Sequence, residues 1–453
     1  MAAKNEAATG PRWRNWSREQ RCRPHSIVRP HTREGLIAAI VEANDAGRQI
    51  RASGSGHSFN SSALTDGTML RLDALDRILK VDHAAQLVKV EAGIELWALN
   101  QRLDRLGLAL ENLGDIDRQT LAGSISTATH GTGARYRNRS AQVTGLELIT
   151  ADGTTLELSE DSDPDGFRAA RVGIGALGVI YAVTLRVVPP FRIDRTDRQR
   201  PLAETLGRLD ELVDSLDHFE FFVFPHADRA LCRESTRTDA PARPRGKAGE
   251  YAQEVVLENW VGAGFASVAR LVPATIPTLS KLATAGAGSS RRLDHSFRVF
   301  ASERRLKFTE MEYAVPRANA REAIQAALDI ANRRELKVAF PIEVRFVAGD
   351  DAMLSPAHER DACYIAVHYD RRGGWGPYFS AVAGAMAEFG GRPHWGKRHS
   401  LDVGELRKLY PRFEDFRAVR ERLDPAGRFA NDYTDRVLGP IGAFASESSS
   451  LTA

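Results

Sequence analysis

Residues 49–59 read Gln-Ile-Arg-Ala-Ser-Gly-Ser-Gly-His-Ser-Phe. A short apolar-flanked strand, Ile50 to Ala52, runs into a Gly-Ser-Gly loop that a single histidine follows at once. Glycine reaches backbone angles closed to other residues and brings N–H groups close to a ligand, so Gly54 and Gly56 suit a phosphate cradle. The dinucleotide fingerprint G-x-G-x-x-G fails here. Its third glycine position holds Phe59, and the following Asn60-Ser-Ser-Ala-Leu-Thr-Asp-Gly reads as turn. The fingerprint needs a helix N-terminus against the pyrophosphate. On these residues alone two readings stay open: a phosphate loop of another kind, or a plain glycine turn with a surface histidine.

Outward from the loop, Thr32 is an N-cap for a helix ending at Gly47. Strands are expected over Thr68–Leu72 and Leu87–Ala92, and a helix over Ile94–Leu106. Residues 110–133 are rich in Gly, Ser and Thr, carry His130 and keep no period for long. Such long loops of small hydroxylic residues are usually functional. A hairpin over 146–158, a short helix near Phe167–Arg171 and a long strand Val179–Val188 follow. They stop at Pro189-Pro190, read as a domain boundary.

Beyond it, helices are expected over Leu206–Leu216, Ala318–Asn332 and Pro377–Phe389. Strands are expected over Phe219–Phe224, Thr309–Val315, Val338–Val347 and Cys363–Tyr369. Residues 226–250 read as loop-rich and 255–290 as apolar helix. Strands mixed with helices, without regular βαβ alternation, argue α+β.

A chain of 453 residues requires more than one core. Its 62 basic and 59 acidic residues nearly cancel to +3, which gives no reason to expect nucleic acid. Three scattered cysteines form no metal-spaced cluster and suggest a reducing compartment, hence the cytoplasm. No leader-like apolar run and no run long enough to span a bilayer is present. Serine-hydrolase, zincin and P-loop motifs are missing. Histidines do not pair with carboxylates at helical ligand spacing, so no metal is expected. Glu343 and Arg345, two apart on one strand, share a face; locally a solvated pair is the favoured reading, a site wall the alternative. His394 and Lys397 sit in the Gly390–Lys397 loop, where they could stabilise developing negative charge.

Six stretches together resemble one family: Gly54-Ser-Gly-His-Ser, Asn112-Leu-Gly-Asp-Ile, Ala128-Thr-His-Gly-Thr-Gly, Phe340-Pro-Ile-Glu-Val-Arg-Phe, Gly390-Gly-Arg-Pro-His-Trp-Gly-Lys and Asp424-Pro-Ala-Gly-Arg-Phe. In order, over roughly residues 13–438, they resemble the FAD-linked oxidases of the vanillyl-alcohol oxidase superfamily. Within it they are most similar to the L-gulonolactone and D-arabinono-1,4-lactone oxidase branch, with alditol oxidases as cousins. The resemblance implies a two-domain α+β fold. A PCMH-type FAD-binding domain would cover 13–190 and a substrate (cap) domain with an antiparallel sheet 191–390. Residues 391–440 would return to the flavin; the Ser-rich composition of the end predicts a disordered tail over 441–453.

It also implies roles. His57 matches the histidine that in many members is bonded covalently to the flavin. Ser53, Gly54, Ser55, Gly56 and Ser58 would wrap the pyrophosphate. Asp115, Thr120, Gly123, Thr127, Ala128, Thr129 and His130 would line the rest of the FAD, with Ile180 on the adenine side and His394 near the ring. Glu343, Arg345 and Lys397 would face the substrate, a sugar lactone or polyol. Gly114 matches a position where oxidases often keep glycine, leaving room for O2, so hydrogen peroxide is the expected co-product. An alditol or other alcohol oxidase, a dehydrogenase with another acceptor, and a flavin-binding protein without turnover are the competing readings. The stretch 226–305 matches no family motif.

Overall fold

The computed structural model describes residues 10–244, 268–301 and 306–442. A two-strand ribbon opens the described chain, β1 (Trp13–Arg14) with β2 (Arg21–Cys22). β3 (Ser26–Val28), β4 (Ile50–Ser53) and β5 (Thr68–Arg71) make a parallel sheet in the order β3-β5-β4. The helix Arg33–Asp45 crosses between β3 and β4; Thr32 caps it through the Gly35 N–H, and Leu36, Ile40 and Ala43 bury its inner face.

β6 (Ile78–Asp82), β7 (Leu87–Glu91), β8 (Val143–Ile149), β9 (Thr155–Leu158) and β10 (Val179–Arg186) form a second, antiparallel sheet in the order β6-β7-β10-β8-β9. Its core continues into the helices Val403–Leu409, Phe413–Leu423 and Asp432–Leu438, so the end of the described chain packs back onto the part that holds the glycine loop.

After Pro190 an eight-stranded sheet begins. It contains β11 (Arg192–Pro201), β12 (His218–Val223), β13 (Arg229–Thr238), β14 (Ser290–His295), β15 (Thr309–Pro316), β16 (Ile342–Val347), β17 (Ala362–Tyr369) and β18 (Arg392–Pro393). The order is β14-β11-β13-β12-β16-β17-β15-β18, antiparallel throughout. Side chains alternate across a strand. Phe219, Phe221, Met311, Tyr313, Val344, Phe346, Ile365 and Val367 therefore meet the helices Ala320–Ala331 and Trp375–Glu388 in one core. The opposite face carries Glu220, Glu310, Glu312, Glu343, Arg345 and His368.

Several expectations are corrected. Residues 226–250 include β13, a ten-residue strand. The irregular loop 110–133 contains a helix, Leu121–Ser126, capped by Thr120. The helix expected over Leu206–Leu216 is two, Leu202–Gly207 and Leu209–Ser215, broken at Arg208. Of the apolar stretch 255–290, the helix Ile276–Gly286 is described, while 255–267 lie outside the described residues, as does most of the expected tail. All three cysteines are free thiols. No helix among the described residues is long and apolar enough to cross a membrane.

Candidate active site

The glycine loop forms one wall of a deep cleft enclosing about 1380 Å³ of atom-free space, its open mouth included. β4 delivers the loop, and Arg51 fixes β4 in place. The Arg51 guanidinium is buried and donates to the carbonyls of Gly175 (2.8 Å), Ile174 (3.0 Å), Phe429 (2.6 Å) and Ser62. Burial lowers its pKa to about 10, so it stays charged at neutral pH. Gly54 stands so close to Thr120 that a Cβ there would lie 2.1 Å from the Thr120 hydroxyl oxygen. Gly56 has φ +71°, and its carbonyl accepts the Trp16 N–H at 2.7 Å. On the far side, the Phe59 N–H donates to the Gly396 carbonyl at 2.8 Å.

The structure places Ser53, Gly54, Ser55, Gly56, His57, Ser58, Thr120, Gly123, Thr127, Ile180, His394 and Lys397 on the cleft wall. Sequence reasoning passed over the glycine-rich turn Gly173–Gly178, which also lines it; Gly175 (φ +70°) and Gly178 (φ +148°) were its signal. Gly114, Asp115, Ala128, Thr129 and His130 do not line the cleft. Residues 112–114 pack against 129–131, where a Cβ on Gly114 would come within 2.9 Å of the His130 carbonyl oxygen, and Asp115 faces Arg345 at 3.4 Å.

His57 stacks on Trp16 with centroids 5.4 Å apart. Burial, then the charges of Lys307 and Lys397, lower its pKa to about 4. It is therefore a neutral imidazole at physiological pH, with a ring nitrogen lone pair available.

The reading of Glu343 and Arg345 as a solvated pair is overturned: both are buried. Arg345 is ringed by carboxylates. It pairs with Glu343 on its own strand, with Glu220 of β12 at 2.8 Å and with Asp115 at 3.4 Å. β12 and β16 are hydrogen-bonded neighbours with Glu220 opposite Arg345, which explains the contact. Burial alone would disfavour the guanidinium charge, but Glu343, Asp115 and Glu220 outweigh it and hold its pKa above the usual value. Burial likewise opposes ionisation of Glu220, and Arg345 and Arg233 (2.7 Å) reverse that. Glu220 was missed in the sequence; its signal is one acid inside an otherwise aromatic strand.

Lys397 reaches the cleft from the loop after β18. Its Nζ lies 2.5 Å from Glu310 and 5.3 Å from the centre of the Phe59 ring. His394 accepts the Gly396 N–H on Nδ1 at 2.9 Å, so its proton sits on Nε2. Burial lowers its pKa to about 3. Behind it, His130 is held by the Gly131 carbonyl at Nδ1 (2.9 Å) and by Glu312 at Nε2 (3.1 Å), and stacks on Tyr364 at 3.7 Å. Ligand atoms of His130, Glu312 and His394 lie within 4.8 Å of one another, a trio that linear spacing could not have disclosed. Metal ligation needs lone pairs on the converging nitrogens. His394 already uses Nδ1 to accept the Gly396 N–H, and His130 uses both ring nitrogens, so the donor set suits a hydrogen-bonded cluster better than a metal.

Comparison with known proteins fits this geometry. A family model described as D-arabinono-1,4-lactone oxidase matches residues 183–437. The chain belongs to the D-arabinono-1,4-lactone oxidase family. An FAD binding domain model matches residues 24–159, the part that carries the glycine loop. FAD is the cofactor, and the cradle of Gly54, Gly56, Gly175 and Gly178 fits a dinucleotide that needs close backbone approach. Among relatives of this family, the chain is 49% identical to the L-gulono-1,4-lactone dehydrogenase of Mycobacterium tuberculosis, across 95% of this chain and all of that one. It is 35% identical to the L-gulonolactone oxidase of Bos taurus, across 95% and 98%. Its fold matches that of a solved cholesterol oxidase from B. sterolicum (TM-score 0.77, 18% identity, 95% and 96% covered). The α+β, vanillyl-alcohol-oxidase-like fold expected from the sequence is the one observed.

Proposed function

We propose that the protein is an FAD-dependent oxidoreductase that oxidises a CH–OH group of an aldono-1,4-lactone, with O2 as acceptor and hydrogen peroxide as co-product. The observation that carries this reading is the placement of Lys397 on the wall of the FAD cleft, next to the cap face that bears Arg345. When bound, FAD supplies the acceptor for the hydride leaving carbon. This chain's residues do the remainder. Lys397 and Arg345 hold positive charge where the substrate oxygen gains negative charge as its proton leaves. Glu343 and Glu220 lock the Arg345 guanidinium in one orientation, so it need not reorganise during the reaction. Glu343 also offers an acceptor to sugar hydroxyls.

His57, neutral and on the cleft wall, is the proposed covalent tether. Acid precipitation tests this: the wild-type pellet should be yellow, and His57→Ala should release its flavin into the supernatant. A white wild-type pellet rejects the tether.

A second reading, a dehydrogenase passing electrons to another acceptor, is favoured by the name of the 49%-identical relative. The match of Gly114 to a glycine common in oxidases favours oxygen, although the His130 carbonyl already fills the place of its Cβ, 2.9 Å away. Peroxide release and dye reduction are to be measured in air with L-gulono-, L-galactono- and D-arabinono-lactone, and with xylitol and sorbitol. Turnover of lactones with peroxide is expected. Dye reduction without peroxide would assign a dehydrogenase, and preference for the polyols an alditol oxidase.

A further inference from the structure

Glu310 and Glu312 lie two apart on β15, so both face the site. Glu310 is buried, and it faces His368 directly across the β15–β17 pair. Its carboxylate faces two basic side chains from different elements: Lys397 Nζ at 2.5 Å and His368 Nε2 at 3.6 Å. His368 in turn stands 3.9 Å from Glu343 on β16 and donates Nδ1–H to the Pro341 carbonyl at 3.1 Å. Glu310 thus links the Lys397 loop to the strand that bears Glu343 and Arg345. The backbone repeats the link: Arg398 N–H donates to the Glu310 carbonyl and His394 N–H to the Glu312 carbonyl, both at 3.0 Å.

We propose that Glu310 is a positioning residue, whose carboxylate fixes the Lys397 ammonium, and keeps its proton on it, at the mouth of the FAD cleft. The other groups facing Lys397 are Glu312 on β15, Asp115 on the 112–120 segment, His394 on its own loop, and His57 and Phe59 on the glycine loop. Both of these histidines are neutral, held so mainly by burial. Burial works against the Lys397 charge, and Glu310 is the strongest of the groups that overcome it, ahead of Glu312 and Asp115. Without Glu310, a largely buried amine facing more distant acids loses its proton nearer neutral pH.

The inference rests on reading Lys397 as a substrate- and flavin-facing charge, so its test has one readout that needs no substrate. Glu310→Gln and Glu310→Asp are compared with wild type, all FAD-loaded, across the neutral and alkaline range. The readouts are kcat/KM for the lactone the wild type turns over, and equilibrium binding of sulfite to the bound flavin, which positive charge beside the ring favours. In Glu310→Gln, both should develop a descending limb between about pH 6 and pH 9, at least about tenfold deep relative to wild type at the same pH. Glu310→Asp, which keeps the charge but withdraws it by one methylene, should place the limb between the two.

A Gln variant whose profiles run parallel to wild type, however reduced, assigns Glu310 a merely structural role and overturns the inference. Should the Gln variant fail to fold, the Asp variant decides, and a limb unchanged from wild type overturns it. If the wild type turns over no lactone, the proposed function fails, while the sulfite profiles still judge the Glu310–Lys397 link by itself.

Discussion

Replacing Arg345 by methionine, close in length and uncharged, removes a cation shared by Glu343, Glu220 and Asp115. Glu220 retains Arg233, and Glu343 keeps His368 at 3.9 Å, but the cluster loses its centre. Breaking a buried ion pair from one side typically costs about 3–5 kcal/mol. Protonation limits that cost. Putting a proton on an ordinary glutamate costs about 1.4 kcal/mol for each pH unit above its pKa near 4.3, hence about 3.7 kcal/mol at pH 7 and about 1 kcal/mol at pH 5. In wild type the folded-state pKa of Glu220 is depressed, so its contribution is present above the unfolded value and is lost as pH falls through the folded one. In the variant a carboxylate pKa is raised instead, so stability is lost as pH climbs. The two stability curves should converge toward acid and part by about 3–4 kcal/mol at pH 7. Urea unfolding from pH 5 to pH 8 measures this, urea being chosen because guanidinium would screen the charges. A gap that stays constant with pH, or no gap, refutes the account of Arg345 as the counter-ion of a buried acid cluster.

In a His57→Ala background, where FAD binding is reversible, Gly54→Ala should weaken FAD binding at least about tenfold, because its Cβ would press on the Thr120 hydroxyl that caps the helix Leu121–Ser126. Gly54→Ala with Thr120→Ala should recover part of that loss by equilibrium dialysis; strict additivity would show that the contact is not the cause. Gly114→Ala should cost about 1–3 kcal/mol of stability, since the 2.9 Å approach to the His130 carbonyl forces backbone apart. It should also cut peroxide release more than dye reduction, and an equal fall in both would remove Gly114 from any role in oxygen access.

The glycine loop, the family stretches and most strands of the apolar core were legible, because small residues at tight turns and alternating hydrophobics leave local marks. β11, β13 and β14 were not. They are rich in charged and polar residues, and they pair across strands through Arg233–Asp197, Arg291–Asp194 and Arg200–Glu234. The site was half legible. Glu343, Arg345 and Lys397 were singled out, but their burial was misjudged for the first two. Glu220 and Glu310 looked incidental because a lone acid in a strand acquires meaning only from the cation a neighbouring strand supplies. That Glu312, far away in sequence, bonds the His130 ring could not be read from local spacing.

Arg51 sets a dependence between distant parts of the chain as well as a shape. The strand that launches the glycine loop is held by the carbonyl of Phe429, and the Ile50 N–H donates to the Arg428 carbonyl at 2.7 Å. Asp424 bends that late segment into place by accepting the Arg428 and Phe429 N–H groups, both at 2.8 Å. Asn431 then reaches back to the carbonyls of Ser61, Ser62 and Leu64. The glycine loop, early in the sequence, thus depends for its support on residues near the end of the described chain. A chain ending short of residue 428 would lack the carbonyls and amide that complete this support.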